Sequence, residues 1–291
     1  MNGTYCYCGR DFSGADIALV AELCKDPALP TRASIARELC TRLGWVDQMS
    51  RPKTMSARVA LLRMADDGLI VLPPPANANN ANRRWPWRAD PGPLPDRIQV
   101  PLDRLGPVAL HPVSSRAESA QWNELIASHH YLGYSPLPGA QRRYFVTASG
   151  EPLALIGISA AAWSCKPRDD FIGWDPKRRA ARLHLVVGNS RFLVLPWVRV
   201  PNLASASLGL LARRIGADWQ AAYGYRPVLM ETFVESGRFK GTSYRAAGWV
   251  HLGQTTGRGK LDREHRGSLT RKDVYCLPLA ADFRRHLTAR P

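Results

Sequence analysis

Met230-Glu231-Thr232-Phe233-Val234-Glu235, then Ser236-Gly237-Arg238-Phe239-Lys240-Gly241-Thr242-Ser243-Tyr244-Arg245-Ala246-Ala247-Gly248-Trp249, is the stretch from which the fold is read. An apolar run with two carboxylates predicts a buried strand over Val228 to Val234. Glycines bracket a short helix over Lys240 to Ala247 that presents Tyr244, and a second strand follows over Trp249 to Gln254. That strand empties into Thr255-Thr256-Gly257-Arg258-Gly259-Lys260, where glycines let a backbone approach and basic side chains neutralise charge. The loop matches no P-loop fingerprint, so it reads as a phosphate contact without implying ATP.

Working outward, Ala204 to Tyr223 has the length and period of a long helix, with strands expected at Leu183 to Val187 and Phe192 to Val200 before it. Val274 to Pro278 supplies a last strand. Upstream, a helix over Glu118 to His130 puts Trp122, Leu125, Ile126 and His129 on one side. A hairpin joins Tyr144–Thr147 to Leu153–Trp163 through Ser149-Gly150. An antiparallel start running into strand–helix–strand–helix–strand implies one mixed α/β sheet with helices on both faces, over residues 100–291.

The first 75 residues read differently. Helices are expected over Asp16–Cys24 (Ile17, Val20, Leu23 and Cys24 on one face), from Thr31 to Leu43 (Ile35, Leu39, Leu43 inward), and over Met55–Asp67 (Met55, Leu61, Val59 and Leu62 inward). Leu69-Ile70-Val71-Leu72 is expected as a short strand. Three helices and a strand describe a winged helix-turn-helix over residues 1–75, with Lys53, Arg58 and Arg63 offered to DNA by the third helix. A helical packing domain with a solvated basic face is the competing reading. Residues 76–99 form a linker rich in Pro, Asn and Trp; its Arg83-Arg84-Trp85-Pro86-Trp87-Arg88 would stack on bases or dock on the larger domain.

With 40 Lys+Arg against 24 Asp+Glu the chain carries a formal charge of +16, which favours polyanionic partners, DNA first. No apolar run approaches a membrane span and no signal design precedes the first helix, so the chain reads as cytoplasmic and not membrane-bound. The six cysteines read as free thiols; Cys6-x-Cys8 has no second pair at zinc-ligand spacing.

The order of elements resembles the GNAT acetyltransferase fold, with Phe192–Val200 as its central strand and the helix from Ala204 as its acyl-CoA helix. Tyr244-Arg245-Ala246-Ala247-Gly248-Trp249 is similar to that fold's late Tyr-x-x-x-Gly-aromatic element. The resemblance implies Tyr244 as an acid and Glu231 or Glu235 as a base. At the helix start, however, Val200-Pro201-Asn202-Leu203-Ala204-Ser205-Ala206-Ser207-Leu208-Gly209 lacks the Arg/Gln-x-x-Gly-x-Gly/Ala cradle for pyrophosphate. The resemblance thus implies the fold and speaks against acetyl-CoA.

Nearly the whole chain resembles the DruA family, named from the Druantia anti-phage system and also found beside transposase-like genes of mobile elements. The matching blocks include Arg37-Glu38-Leu39-Cys40-Thr41-Arg42-Leu43-Gly44-Trp45, His130-Tyr131-Leu132-Gly133-Tyr134, Ser159-Ala160-Ala161-Ala162-Trp163, Asn189-Ser190-Arg191-Phe192-Leu193 and Pro196-Trp197-Val198-Arg199-Val200-Pro201-Asn202. The opening stretch is a further block. The resemblance implies DNA, mobile elements and defence, with other defence or transposition proteins as partners, and fixes no reaction.

Two chemistries compete for the site. Asp170, Glu231 and Glu235 would hold Mg²⁺ against a scissile phosphate. Alternatively Tyr131 or Tyr244 would attack the phosphodiester, with His130 as base and Arg191 or Arg238 clamping phosphate beside Asn189. Glu231 would otherwise simply pair with an arginine such as Arg238 or Arg245. Arg245, Thr255, Thr256, Arg258 and Lys260 are expected to contact nucleic acid. The expected function is DNA binding with strand nicking or transfer; an acyltransferase and a non-catalytic DNA-targeting subunit are the alternatives.

Overall fold

The computed structural model describes residues 4–47, 50–75, 94–257 and 270–289. Its contacts divide the chain into two units, Met1–Trp85 and Pro86–Pro291.

The first unit opens with a hairpin, β1 (Tyr5–Tyr7) and β2 (Arg10–Phe12), turned through Cys8 and Gly9 at φ 52° and 75°, the left-handed pair that a tight hairpin turn requires. Three helices follow: α1 (Gly14–Lys25), α2 (Arg32–Arg42) and α3 (Thr54–Asp66). Ser13 with Asp16, and Thr31 with Ser34, close reciprocal capping boxes that fix where α1 and α2 begin. The core holds Phe12, Val20, Ile35, Leu39, Leu61 and Met64.

Two expectations fail here. Leu69–Leu72 forms no strand: Ile70 is buried but Val71 is 86% exposed, and the sheet of this unit is the hairpin before the helices. On α3 the inward face is Ala57, Ala60, Leu61 and Met64, while Met55, Val59 and Leu62 are exposed. The two alanines let the helix lie close to α2, so bulk at Met55, Val59 and Leu62 misidentifies the packed face.

The second unit is a seven-stranded mixed sheet in the order β3-β4-β5-β6-β7-β9-β8. Its strands are β3 (Val108–Pro112), β4 (Arg142–Ala148), β5 (Glu151–Ala160), β6 (Val186–Val194), β7 (Leu229–Glu235), β8 (Val250–Gln254) and β9 (Lys272–Pro278). All neighbours run antiparallel except β6 and β7. The helices are α4 (Arg116–His129), α5 (Lys166–Ile172), α6 (Pro176–Arg182), α7 (Leu203–Tyr223), α8 (Thr242–Ala246) and α9 (Phe283–Thr288). Ile98 pairs with Val198, so the last residues of the segment read as linker join this unit.

The main core gathers Trp122, Tyr144, Ile156, Leu211, Ile215 and Trp219. A second cluster of Ile172, Trp174, Val186, Leu229, Cys276 and Phe283 forms where α5 and α9 pack. The two strands expected at Leu183–Val187 and Phe192–Val200 are one strand, β6, preceded by a single 3-10 turn at Leu183–Leu185. The polar Gly188-Asn189-Ser190 is a bulge within it: Ile158 pairs with Asn189 and Gly157 with Arg191, leaving Ser190 as the extra residue.

Candidate nucleic-acid cleft

The parallel ladder between β6 and β7 stops at Asn189↔Thr232, although both strands continue. From there β6 stays with β5 as far as Val194, and β7 stays with β9 as far as Glu235. The strands part just beyond the Ser190 bulge, and a cleft of ≈ 830 Å³ opens between them. Parting strand ends beside a crossover are where open α/β sheets take ligands.

The cleft floor is Tyr244, Asn189 and Thr232. The Tyr244 hydroxyl donates to Asn189 Oδ1 at 2.7 Å and stands 3.4 Å from Thr232 Oγ1. The Asn189 amide donates to the carbonyls of Gly157 (3.3 Å) and Arg191 (3.0 Å), and Thr232 Oγ1 also donates to the Asn189 carbonyl at 3.0 Å. Burial pushes the Tyr244 phenol far above its ordinary range, so it keeps its proton. Gly241, at φ 65°, lies against the Tyr275 ring, where no side chain fits.

The walls are cationic and aromatic. Arg191, Arg199, Arg238, Lys240 and Lys272 line the cleft, and among the described residues no aspartate or glutamate does. Arg191 is held by Ser190 O at 2.8 Å and Ser135 Oγ at 2.7 Å, and its buried Nε has no hydrogen-bond partner. Burial lowers its pKa. Arg238 lies over the Tyr131 ring, 5.0 Å from its centroid. The Tyr131 ring centroid also lies 4.8 Å from that of His130 and 5.3 Å from that of Phe239, the latter in a T-shaped contact. Phe239 and Leu132 are 45% and 46% exposed.

His130 does not suit the base expected of it. Its Nδ1 accepts from the Leu132 N–H at 3.2 Å, which assigns the ring proton to Nε2. Burial and the neighbouring Arg191 push its pKa down to about 4. Tyr131 keeps a raised pKa, through burial and then Glu235, against the pull of Arg191 and Arg238.

Glu231 is not in the cleft. Strand alternation aims Thr232 into it and Glu231 at the other side of the sheet, where the carboxylate is wholly buried. It receives Arg168 Nη1 at 2.8 Å and the Ala162 N–H at 2.6 Å. Burial pushes its carboxyl up while Arg168 and the Ala162 N–H pull it down. The partner is thus an arginine, though neither Arg238 nor Arg245. Arg168 also grips Asp169, which takes Trp174 Nε1 and Arg179 as well.

The Mg²⁺ set fails with it. Asp170 points to solvent and pairs with Lys166 at 2.8 Å, and no group of three or more metal-ligating side chains is found among the described residues. The Arg245 guanidinium meets Tyr275 Oη at 3.2 Å and lines no part of the cleft. Thr255 extends the β8–β9 ladder through Lys272 and Thr256 is exposed; Arg258, Lys260 and the Arg83–Arg88 run lie outside the described residues. Lys53, Arg58 and Arg63 are all exposed on the first unit. Sequence reading missed Arg199, Lys240 and Phe239; the last was signalled by an aromatic set between two cations in a glycine-bounded loop.

Residues 67–280 match the family model of the Druantia protein DruA. The chain belongs to the DruA family. No curated protein matches it. Among solved structures, this DruA-family chain is similar over 59% of its length to aminoglycoside acetyltransferase AAC(6')-Ib, at 16% identity, TM-score 0.38 and 93% coverage of that chain. It is similar to the same extent to a Drosophila melanogaster polyamine N-acetyltransferase, at 12% identity, TM-score 0.38 and 100% coverage. A probable GNAT-family acetyltransferase of Chromobacterium violaceum is 15% identical, with TM-score 0.36 and coverage of 59% and 83%. Likeness at this level assigns no ligand.

At the start of α7 Pro201 has no N–H, Leu203 N–H is spent on Val200 O, and Ala206 N–H on Asn202 O. The first turn of α7 carries no basic residue, and Arg199 lines the cleft with Ala204. Among the described residues no helix is long and apolar enough to cross a membrane, and the six cysteines are free.

Proposed function

We propose that this DruA-family chain engages DNA in a Druantia defence system, holding a strand in the β6–β7 cleft while α3 of the first unit contacts duplex. The observation that carries this reading is the cleft wall: Arg191, Arg199, Arg238, Lys240 and Lys272, with no carboxylate lining it among the described residues. Arginines suit phosphate through their planar fork. The desolvated Arg191 lacks a carboxylate partner among the described residues, and a bound phosphate would supply the missing anion.

Strand scission in this cleft falls to Tyr131. Its hydroxyl would attack phosphorus, the bond from phosphorus to the leaving nucleoside oxygen would break, and the phenol proton would pass through solvent to that oxygen. Arg191 and Arg238 would hold the charge that builds on the phosphoryl oxygens.

The test is fluorescence anisotropy of a labelled oligonucleotide across a potassium chloride series. Affinity is expected to fall steeply with salt, and Arg191→Gln with Arg238→Gln to flatten the slope by roughly 0.7–1 for each phosphate no longer neutralised. Salt-independent binding, or variants with an unchanged slope, would overturn the reading. A thermal shift with millimolar acetyl-CoA is expected to be null; a clear shift would favour the acyltransferase alternative.

A further inference from the structure

We infer that the cleft takes unpaired DNA, with one base stacked on Phe239, and that it discriminates little among the four bases. The inference rests on the DNA reading above and names the form of DNA. Phe239 is 45% exposed, yet it sits between Arg238 and Lys240 at the cleft wall. An aromatic ring left open to water costs hydrophobic stabilisation, and between two cations it has the composition of a base platform beside a phosphate track. Tyr131 braces the platform: its ring makes a T-shaped contact with Phe239, centroids 5.3 Å apart, and is itself held by His130 and the Arg238 guanidinium. Leu132, 46% exposed at the same rim, adds apolar surface.

The floor explains the lack of base preference. Reading a base edge requires free donors or acceptors, as in the paired contacts of an amide side chain with adenine. Here the Asn189 amide is spent, Oδ1 on Tyr244 and Nδ2 on the Gly157 and Arg191 carbonyls. Ser190 Oγ is taken up by Ser159 Oγ at 2.5 Å, and Thr232 Oγ1 by the Asn189 carbonyl at 3.0 Å. A base reaching the floor meets amide and hydroxyl groups that are already paired. In duplex the bases are stacked on one another, and a paired base would have to leave that stack to reach Phe239.

The experiment uses the full chain, with single strands that carry 2-aminopurine, strands of the same length that are abasic throughout, and the matching duplex. Intact strands of different composition are expected to bind within a fewfold of one another and more tightly than the abasic strand. 2-Aminopurine fluorescence is expected to be quenched on binding. Phe239→Ala should weaken intact-strand binding roughly 5- to 150-fold, the range expected when one base–aromatic stack is removed. It should also abolish the quench and leave abasic-strand and duplex affinity unchanged, while Phe239→Trp should restore stacking. Equal affinity for intact and abasic strands, or equal loss on duplex in Phe239→Ala, would overturn the inference. Either result with a steep salt dependence intact leaves the DNA reading standing; absence of salt-dependent binding to any strand overturns both.

Discussion

Replacing Glu231 with alanine tests whether its carboxylate is structural. Glu231 and Arg168 are both wholly buried and meet at 2.8 Å, and Glu231 also accepts the Ala162 N–H. Glu231→Ala takes one of two carboxylates from the wholly buried Arg168 guanidinium, whose Nη1 keeps the Ala162 carbonyl. Breaking a buried pair from one side costs about 3–5 kcal/mol. Part of this is softened because Asp169 still holds Arg168 through Nε and Nη2, at 2.9 and 2.7 Å. For a domain of this size each kcal/mol moves the midpoint by about 2–4 °C, so Tm should fall by about 6–20 °C. Replacing both partners, Arg168→Met with Glu231→Leu, removes the buried unbalanced charge and should recover part of the loss, the rest remaining with Asp169 and the Ala162 N–H, which each lose a partner. Thermal unfolding of the full chain, followed by circular dichroism, reads both. A Glu231→Ala protein that melts within about 2 °C of wild type, the shift expected for less than 1 kcal/mol, would refute the buried-pair argument, as would a double variant no more stable than the single.

Further outcomes follow from the same geometry. His130 has its pKa pushed down to about 4, against an ordinary 6.5, so the unfolded chain binds the proton first. Stability is present above pH 6.5 and is lost as pH falls toward 4, by on the order of 2 kcal/mol for this group. His130→Gln should flatten part of the acid-side fall in Tm, and an unchanged profile would contradict it; His184, also pushed down to about 4, keeps its share. Gly241→Ala forces a methyl into the Tyr275 ring and should cost about 1–3 kcal/mol with a loosened cleft rim, seen as lower Tm and weaker strand binding. A variant of wild-type stability would show the contact to be adaptable. Tyr131→Phe should abolish both nicking of supercoiled plasmid and any protein–DNA covalent adduct while leaving binding intact; plasmid unchanged by wild type, with or without Mg²⁺, would refute the scission step.

The helices α1 to α4, α7 and α8 and the strands from β4 onward were legible because their apolar residues repeat at the right period, and Thr31 caps α2 as expected. The short α5, α6 and α9 and the strands β1 to β3 carry too few residues to show a period. What could not be read were facts of face and pairing. Glu231 and Thr232 are adjacent in an apolar strand, and only the sheet decides that one meets Arg168 and the other the cleft. Arg168 is 63 residues away, so no local signal announces the pair. Gly188-Asn189-Ser190 reads as a break between strands, and in the fold it is the bulge beside which the cleft opens. The cationic residues of the site, Arg191 and Arg238, were legible from composition and context; their shared cleft was not.

The most direct measurement is photocross-linking of a single strand carrying 5-iodouracil, with the attached peptide mapped by mass spectrometry. The account predicts adducts at Phe239 or Tyr131, suppressed by competition with unlabelled strand and at high salt. Adducts confined to the first unit, with none on residues lining the β6–β7 cleft, would contradict it.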